Sequence, residues 1–145
     1  MNFIVKIIKH KTKLYWQSIE LRDKILRKPL GLEFTKEELD LEYNQIHFVG
    51  FIDNEIVANL SLVPKENGSI KMRQVCVKNS FQKKGLGKEI VQFSEKWAQE
   101  NKYTHIFCHA RKSALNFYLK LEYKIEGEKF IEVGLEHNLL AKTLR

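Results

Sequence analysis

Cysteine and proline are scarce, at two residues each in a chain of 145. Two cysteines cannot form the disulfide framework of a small secreted protein, and two prolines do not make a stiff linker. No window comes near the roughly 18 uncharged apolar residues that a membrane-spanning helix needs, so no membrane partner is expected. The opening Met-Asn-Phe-Ile-Val-Lys-Ile-Ile-Lys-His has only a short apolar run, broken by Lys6, and lacks the small-residue cleavage site of a signal peptide. Cys76 and Cys108 are therefore expected as reduced thiols in a cytoplasmic protein. Neither the Gly-x-Gly-x-x-Gly of dinucleotide sites nor a Walker lysine motif occurs. His105, Cys108 and His109 fit no zinc spacing, so no metal is expected.

What is present is an ordinary globular balance, 43% hydrophobic and 30% charged residues, which argues against a disordered chain. The length predicts one domain over residues 1–145. The formal charge of +7 implies an anionic partner without naming it. Its distribution says more: residues 1–30 carry net +6, 31–70 net −6, 71–112 net +7, and 113–145 are balanced. No nucleic-acid motif accompanies the basic stretches, so nucleic acid is not expected as the partner.

Periodicity organises the chain. Residues 3–8 read as a strand, 14–26 as a helix stopped by Pro29 and Gly31, and Thr35 with Glu38 as a capping box opening a short helix to about residue 41. The period then changes to two, with strands at 46–52 and 55–63 joined at Asp53-Asn54, and a third at 70–77. The clearest helix follows, with Leu86, Ile90, Phe93 and Trp97 on one stripe flanked by Val91 and Ala98. A strand at 104–109, a helix at 113–121 and strands at 123–131 and 137–144 complete the order β-α-α-β-β-β-α-β-α-β-β. This is a mixed α/β (α+β) domain.

Between the third strand and the long helix stands Gln82-Lys83-Lys84-Gly85-Leu86-Gly87-Lys88. A helix entrance exposes unpaired main-chain N–H groups and the positive end of the helix dipole. Gly85 and Gly87 carry no Cβ, so a phosphate can approach the backbone, while Lys83, Lys84 and Lys88 add full charges. The stretch is an anion cradle suited to a pyrophosphate.

A strand, a Gln-x-x-Gly-x-Gly turn and a long amphipathic helix resemble the acetyl-CoA motif of the GNAT acyltransferase superfamily. A second stretch, Arg111-Lys112-Ser113-Ala114-Leu115-Asn116-Phe117-Tyr118-Leu119-Lys120-Leu121-Glu122-Tyr123, is similar to that family's later Asn-x-x-Ala-x-x-aromatic-Tyr helix. Ala114, Phe117, Tyr118 and Tyr123 fit the pattern; Arg111 stands in the usual Asn slot and Glu122 in the usual Gly slot. The resemblance covers about residues 45–128. It implies a single-domain, mostly antiparallel central sheet flanked by helices, acetyl-CoA as cosubstrate, and an N-acetyltransferase acting on an amine of a small molecule or peptide. It also implies that the chain can form a homodimer, as small members often do.

Carried over by residue, the resemblance gives the backbone of Val75, Cys76 and Val77 to the pantetheine arm, with one amide facing the thioester oxygen. Gln82, Lys83, Lys84, Gly85, Leu86, Gly87 and Lys88 would hold the pyrophosphate. Arg111, with Ala114 and Phe117 beside it, would supply a further cofactor contact. Tyr118 matches the acid that protonates the coenzyme thiolate. The base is open among Glu132, His137, His109, His47 and Glu33, with Glu132 and His137 favoured. His109 shares a face with His105 rather than Ile106, which counts against it if the Ile106 side faces substrate. Cys76 lacks an evident His–acid pair and is not expected as a nucleophile. The acidic stretch 31–70 hints at a cationic amine acceptor. A non-catalytic CoA-binding sensor of the same fold is the alternative.

Overall fold

The computed structural model describes residues 2–145. Among these, the elements in chain order are β1 (Phe3–Ile8), α1 (Lys13–Arg22), α2 (Lys36–Asp40), β2 (Ile46–Ile52), β3 (Glu55–Pro64), β4 (Ser69–Val77), α3 (Leu86–Glu100), β5 (His105–Arg111), α4 (Leu115–Lys120), β6 (Lys124–Glu132) and β7 (Leu135–Thr143). This is the order that the sequence predicts. The strands hydrogen-bond as β1-β2-β3-β4-β5-β7-β6 in one sheet flanked by helices. β4 and β5 pair in parallel, whereas β1 with β2, β2 with β3, β5 with β7 and β6 with β7 pair antiparallel. Contacts group the chain into two compact units, Met1–Val63 with Gln74–Ser94 and Pro64–Arg73 with Glu95–Arg145.

In the first unit, local chemistry sets the element ends. Thr35 accepts from the Glu38 amide while the Glu38 carboxylate accepts from the Thr35 amide, the reciprocal capping box. Asp53 and Asn54 take φ of 49° and 65°, the left-handed pair that a two-residue hairpin requires. Gly50 on β2 has no room for a side chain: a Cβ there would lie 2.3 Å from the Phe3 ring. The predicted helix over 14–26 stays α-helical only to Arg22, then runs through a π turn, Asp23–Arg27, and a 3₁₀ turn, Lys28–Leu30. Pro29 has no N–H, so an i→i−4 ladder cannot pass through it. The Lys28 amide instead reaches Asp23 O.

The same unit buries an ion pair. Arg22 (0% exposed) donates from both terminal nitrogens to Glu42 (3%), at 2.8 and 2.5 Å. Tyr15 donates its hydroxyl to Glu42 Oε1 at 2.8 Å. His47 Nε2 donates to Glu42 O at 3.0 Å, which leaves Nδ1 to accept from Ser61 Oγ at 3.2 Å. Burial raises the Glu42 carboxyl, yet the Arg22 bond and charge outweigh it and hold the group below its ordinary value. Removing Glu42 would strand a buried guanidinium, at a cost of about 3–5 kcal/mol.

In the second unit, the Lys142 ammonium donates to Glu95 at 3.2 Å and to Leu121 O at 2.9 Å, and Tyr123 donates to Glu95 at 2.7 Å. Burial, with the Glu95 charge, drives the Tyr123 phenol far up. On β5, Ile106, Cys108 and Ala110 are buried and His105, Phe107, His109 and Arg111 occupy the other face. The predicted helix over 113–121 begins as a 3₁₀ turn, Lys112–Ala114, before α4. It ends at Glu122, whose φ of 73° is the left-handed conformation that favours glycine.

α3 departs from its predicted stripe. Leu86, Ile90, Val91, Ser94 and Ala98 are buried, whereas Phe93 is 41% exposed. The stripe therefore runs through Ser94 rather than Phe93. That serine is tolerated because its hydroxyl donates to Val91 O at 2.7 Å.

Candidate active site

In the first unit, β4 is not a regular strand. Gln74 takes φ of 57° within it, a conformation that a non-glycine residue holds only when its surroundings enforce it. Asn59 on β3, fully buried, donates Nδ2 to Gln74 O at 2.9 Å. Asn59 Oδ1 is buried without a partner among the described residues. The β4/β5 ladder runs from Ser69↔His105 to Met72↔Cys108, and β4 continues to Val77. Val75, Cys76 and Val77, the expected pantetheine strand, lie in that continuation.

Cys76 is 5% exposed, and burial pushes its thiol up to about 12, with Arg22 and the Asn59 amide pulling back less. A thiol so held is a poor nucleophile. The Val77 carbonyl accepts from Gln82 Nε2 at 2.9 Å, and the same amide reaches Asn79 Oδ1 at 3.0 Å. The Gln82 side chain thus ties the turn to the end of β4.

Gln82 to Lys88 form one turn entering α3. Lys83 and Gly85 take φ of 63° and 82°, and successive turns of this kind point main-chain N–H groups into a common concavity. The Glu89 amide donates to Gly85 O at 3.1 Å. Leu86, Gly87 and Lys88 precede that bond, where helix amides lack intrahelical acceptors. Nothing lies within 4 Å of where a Gly85 Cβ would be, so the space over the turn is open. Leu86 anchors it from beneath against Ile52 and Val57. Lys84 rests 5.8 Å from the Phe81 ring centre. Open space, unpaired amides and three lysines fit a pyrophosphate.

In the second unit, Arg111 ends β5 opposite His137. Ala114 closes the 3₁₀ turn, and the Phe117 ring meets Tyr118 edge-on at 4.9 Å. Tyr118 is 6% exposed and packs on Tyr123 at 5.5 Å. Glu132 and His137 come together, with Oε2 and Nε2 3.8 Å apart, and Glu132 Oε1 accepts from His109 Nδ1 at 3.1 Å. Phe130 lies edge-on to His109 at 5.0 Å and stacks on His137 at 5.9 Å. Burial, the largest single effect, raises the Glu132 carboxyl, but the His109 bond and the charges of His109, His137 and Lys71 together outweigh it and hold the group below its ordinary value. Lys71 is pushed down by burial and by Arg73.

Two of the sequence candidates for the base lie elsewhere. His47 is buried with both ring nitrogens bonded, and burial lowers its pKa. Glu33 lines a separate cavity of about 490 Å³ in the first unit with Phe34, Asp23 and Leu39. The Ile106 side of β5 is core rather than open surface, which removes the condition counted against His109. Sequence reasoning did not pick out Asn59. The signal for it was an amide inside the apolar run of β3, where a buried polar group needs a specific partner.

Among the described residues, no three His, Cys, Asp or Glu side chains group as a metal site, and no helix is long and apolar enough to cross a membrane.

The sequence profile of the Acetyltransferase (GNAT) family matches residues 13–123. The Bacillus subtilis protein named uncharacterized N-acetyltransferase YitI is 26% identical over 133 residues, covering 87% of this chain and 89% of its own. Two other B. subtilis relatives, each 35% identical, are matched over about half of their length. Among solved structures, a Lactobacillus plantarum protein assigned provisionally as an N-acetyltransferase superposes with a TM-score of 0.85 at 20% identity, covering 97% of this chain and 99% of its own. A B. subtilis acetyltransferase in complex with CoA gives 0.75 at 17% identity, covering 99% and 100%. The chain belongs to the acetyltransferase (GNAT) family.

Proposed function

We propose that the protein transfers an acetyl group from acetyl-CoA to an amine of a small molecule or peptide, by direct attack in a ternary complex. The observation that carries this is the open turn Gln82–Lys88, with Gly85 at φ 82° and no atom within 4 Å of its absent Cβ. On this reading Lys83, Lys84, Lys88 and the first α3 amides hold the pyrophosphate, and Arg111, Ala114 and Phe117 add contacts to the cosubstrate. Main-chain groups of Val75 and Cys76 pair with the pantetheine arm as an added strand. The Val77 carbonyl already serves Gln82, so its share is the N–H.

An ammonium acceptor must lose a proton before it attacks, and the departing thiolate must gain one. Tyr118 is the proposed acid, and the cluster holding Glu132 and His137 supplies the base. A cytoplasmic location, one domain over residues 1–145, metal-free chemistry and a homodimer belong to the same proposal and rest on the sequence alone.

The test is thiol release from acetyl-CoA with spermidine, kanamycin, lysine and a short peptide as acceptors. Release with at least one amine is expected, and Tyr118→Phe should lower kcat about 10²-fold with little change in acetyl-CoA binding. Tight acetyl-CoA binding without release from any acceptor would replace the enzyme by a CoA-binding sensor.

A further inference from the structure

The second unit carries three groups whose hydrogen bonds fix where their protons sit. A carboxylate only accepts, so the 3.1 Å bond between His109 Nδ1 and Glu132 Oε1 requires a proton on Nδ1. Neutral His109 then has its lone pair at Nε2, which makes no hydrogen bond among the described residues. His137 is arranged differently. Its Nδ1 donates to Leu135 O at 2.9 Å, so its Nε2 confronts Glu132 Oε2 at 3.8 Å. The lone pair of neutral His137 is thus turned toward an anion, and its side chain is only 4% exposed, against 24% for His109.

We infer that His109 is the catalytic base of the proposed acetyl transfer, and that Glu132 is the positioning residue that holds it in the Nδ1–H tautomer. This rests on the acetyltransferase reading and divides the roles within the cluster. His109 Nε2 takes one proton from the acceptor ammonium, giving imidazolium and a neutral amine, and later releases it to solvent. The amine lone pair forms the C–N bond at the thioester carbon. As the C–S bond breaks, its electron pair leaves on sulfur. Tyr118 gives its hydroxyl proton to that sulfur and is restored by the second proton of the amine nitrogen.

The surroundings suit this division. Phe130 and Phe107 cover the His109 ring at 5.0 and 6.4 Å between centroids. On β7, His137 stands opposite Arg111 and Leu139 opposite His109. On β4, Lys71 acts on Glu132 through its charge. Glu132 thus faces His109, His137 and Lys71, which together keep it ionised and accepting. The β6/β7 turn fixes its place: Val133 takes φ of 46° and Gly134 of 76°, directly after Glu132.

Imidazole-labelled protein, free of ligands, gives the first measurement. Long-range ¹H–¹⁵N spectra should show His109 protonated at Nδ1, and Glu132→Gln should move that proton, since a glutamine amide can donate to Nδ1. A proton on Nε2 in the parent chain would overturn the inference, without any variant having to fold. The second measurement is kcat/KM against pH for thiol release, with acetyl-CoA and spermidine, kanamycin or poly-L-lysine. His109→Gln should lower kcat by about 10²–10⁴ and abolish the acidic limb, with the KM for acetyl-CoA unchanged. Glu132→Gln should do the same through the wrong tautomer, and Glu132→Asp should recover the limb. A His109→Gln protein that keeps both turnover and limb would overturn the base assignment alone. No release by the parent chain with any amine would overturn the acetyltransferase reading itself.

Discussion

Asn59 Nδ2 donates to the main-chain oxygen of Gln74 at 2.9 Å, from one buried strand to the left-handed residue of the next. This bond holds the irregularity within β4. Asn59→Leu keeps the branching of the side chain and removes the donor. It should cost about 1–3 kcal/mol of stability, the price of a buried acceptor left unpaired. It should also raise the acetyl-CoA Kd about tenfold, read by calorimetry on protein that retains its near-ultraviolet circular dichroism. Unchanged affinity would show that Gln74 keeps its conformation without the amide.

Gly85 offers a cleaner probe of the cradle. Asparagine tolerates its φ of 82°, and a Cβ there meets nothing within 4 Å. Gly85→Asn should therefore fold with a melting temperature near that of the parent chain. Its acetyl-CoA Kd should rise about tenfold or more, because the new Cβ and amide occupy phosphate space. Equal affinity would remove the pyrophosphate from this turn.

Glu122 stands at φ 73°, where the family resemblance expects glycine. The turn is closed by the Tyr123 amide on Tyr118 O at 3.1 Å and the Glu122 amide on Leu119 O at 3.1 Å. Glu122→Gly relieves the left-handed strain and gives back part of it in chain entropy, for a net gain of roughly 0.5–1 kcal/mol. Thermal unfolding should shift up by about 2–4 °C per kcal/mol gained. A lower melting temperature would mean that the Glu122 side chain contributes something its conformation does not reveal.

Acid should weaken the protein in two stages. Burial holds the His47 pKa below its ordinary 6.5, so the unfolded chain takes up a proton that the folded one resists. Stability then falls as pH drops from 6.5 toward the folded value. Glu42, Glu38 and Glu132 are held below their ordinary 4.5 by Arg22, Arg27 and His109, against the opposing effect of burial. Their contribution is complete above 4.5 and disappears as pH falls through their folded values. Urea midpoints across this range should show both legs, and His47→Gln should flatten only the upper one.

Features set by neighbours in sequence were legible in advance: the Thr35–Glu38 box, the Asp53-Asn54 turn, the order of elements along the chain and the glycine-containing turn before α3. Each depends on residues within a few positions of one another. The α3 stripe was misplaced because Phe93 is more apolar than Ser94, and only the packed helix shows that a serine bonded to its own backbone takes the buried position. The Asn59–Gln74 and His109–Glu132 pairs join residues 15 and 23 positions apart. Their partners follow from strand register, which no local pattern encodes. Alternation along β5 separates His109 from Ile106 but does not say which of the two faces turns to the core; the structure puts Ile106 there.

The Phe3 ring occupies the space that a Gly50 side chain would need, at 2.3 Å from its ideal Cβ. Across relatives, the two positions should therefore be linked by exclusion. An aromatic at the first should accompany glycine at the second, and a larger residue at the second should accompany a trimmed residue at the first. An engineered Gly50→Ala would be rescued by Phe3→Ala, so that the double variant is more stable than the sum of the two single losses predicts.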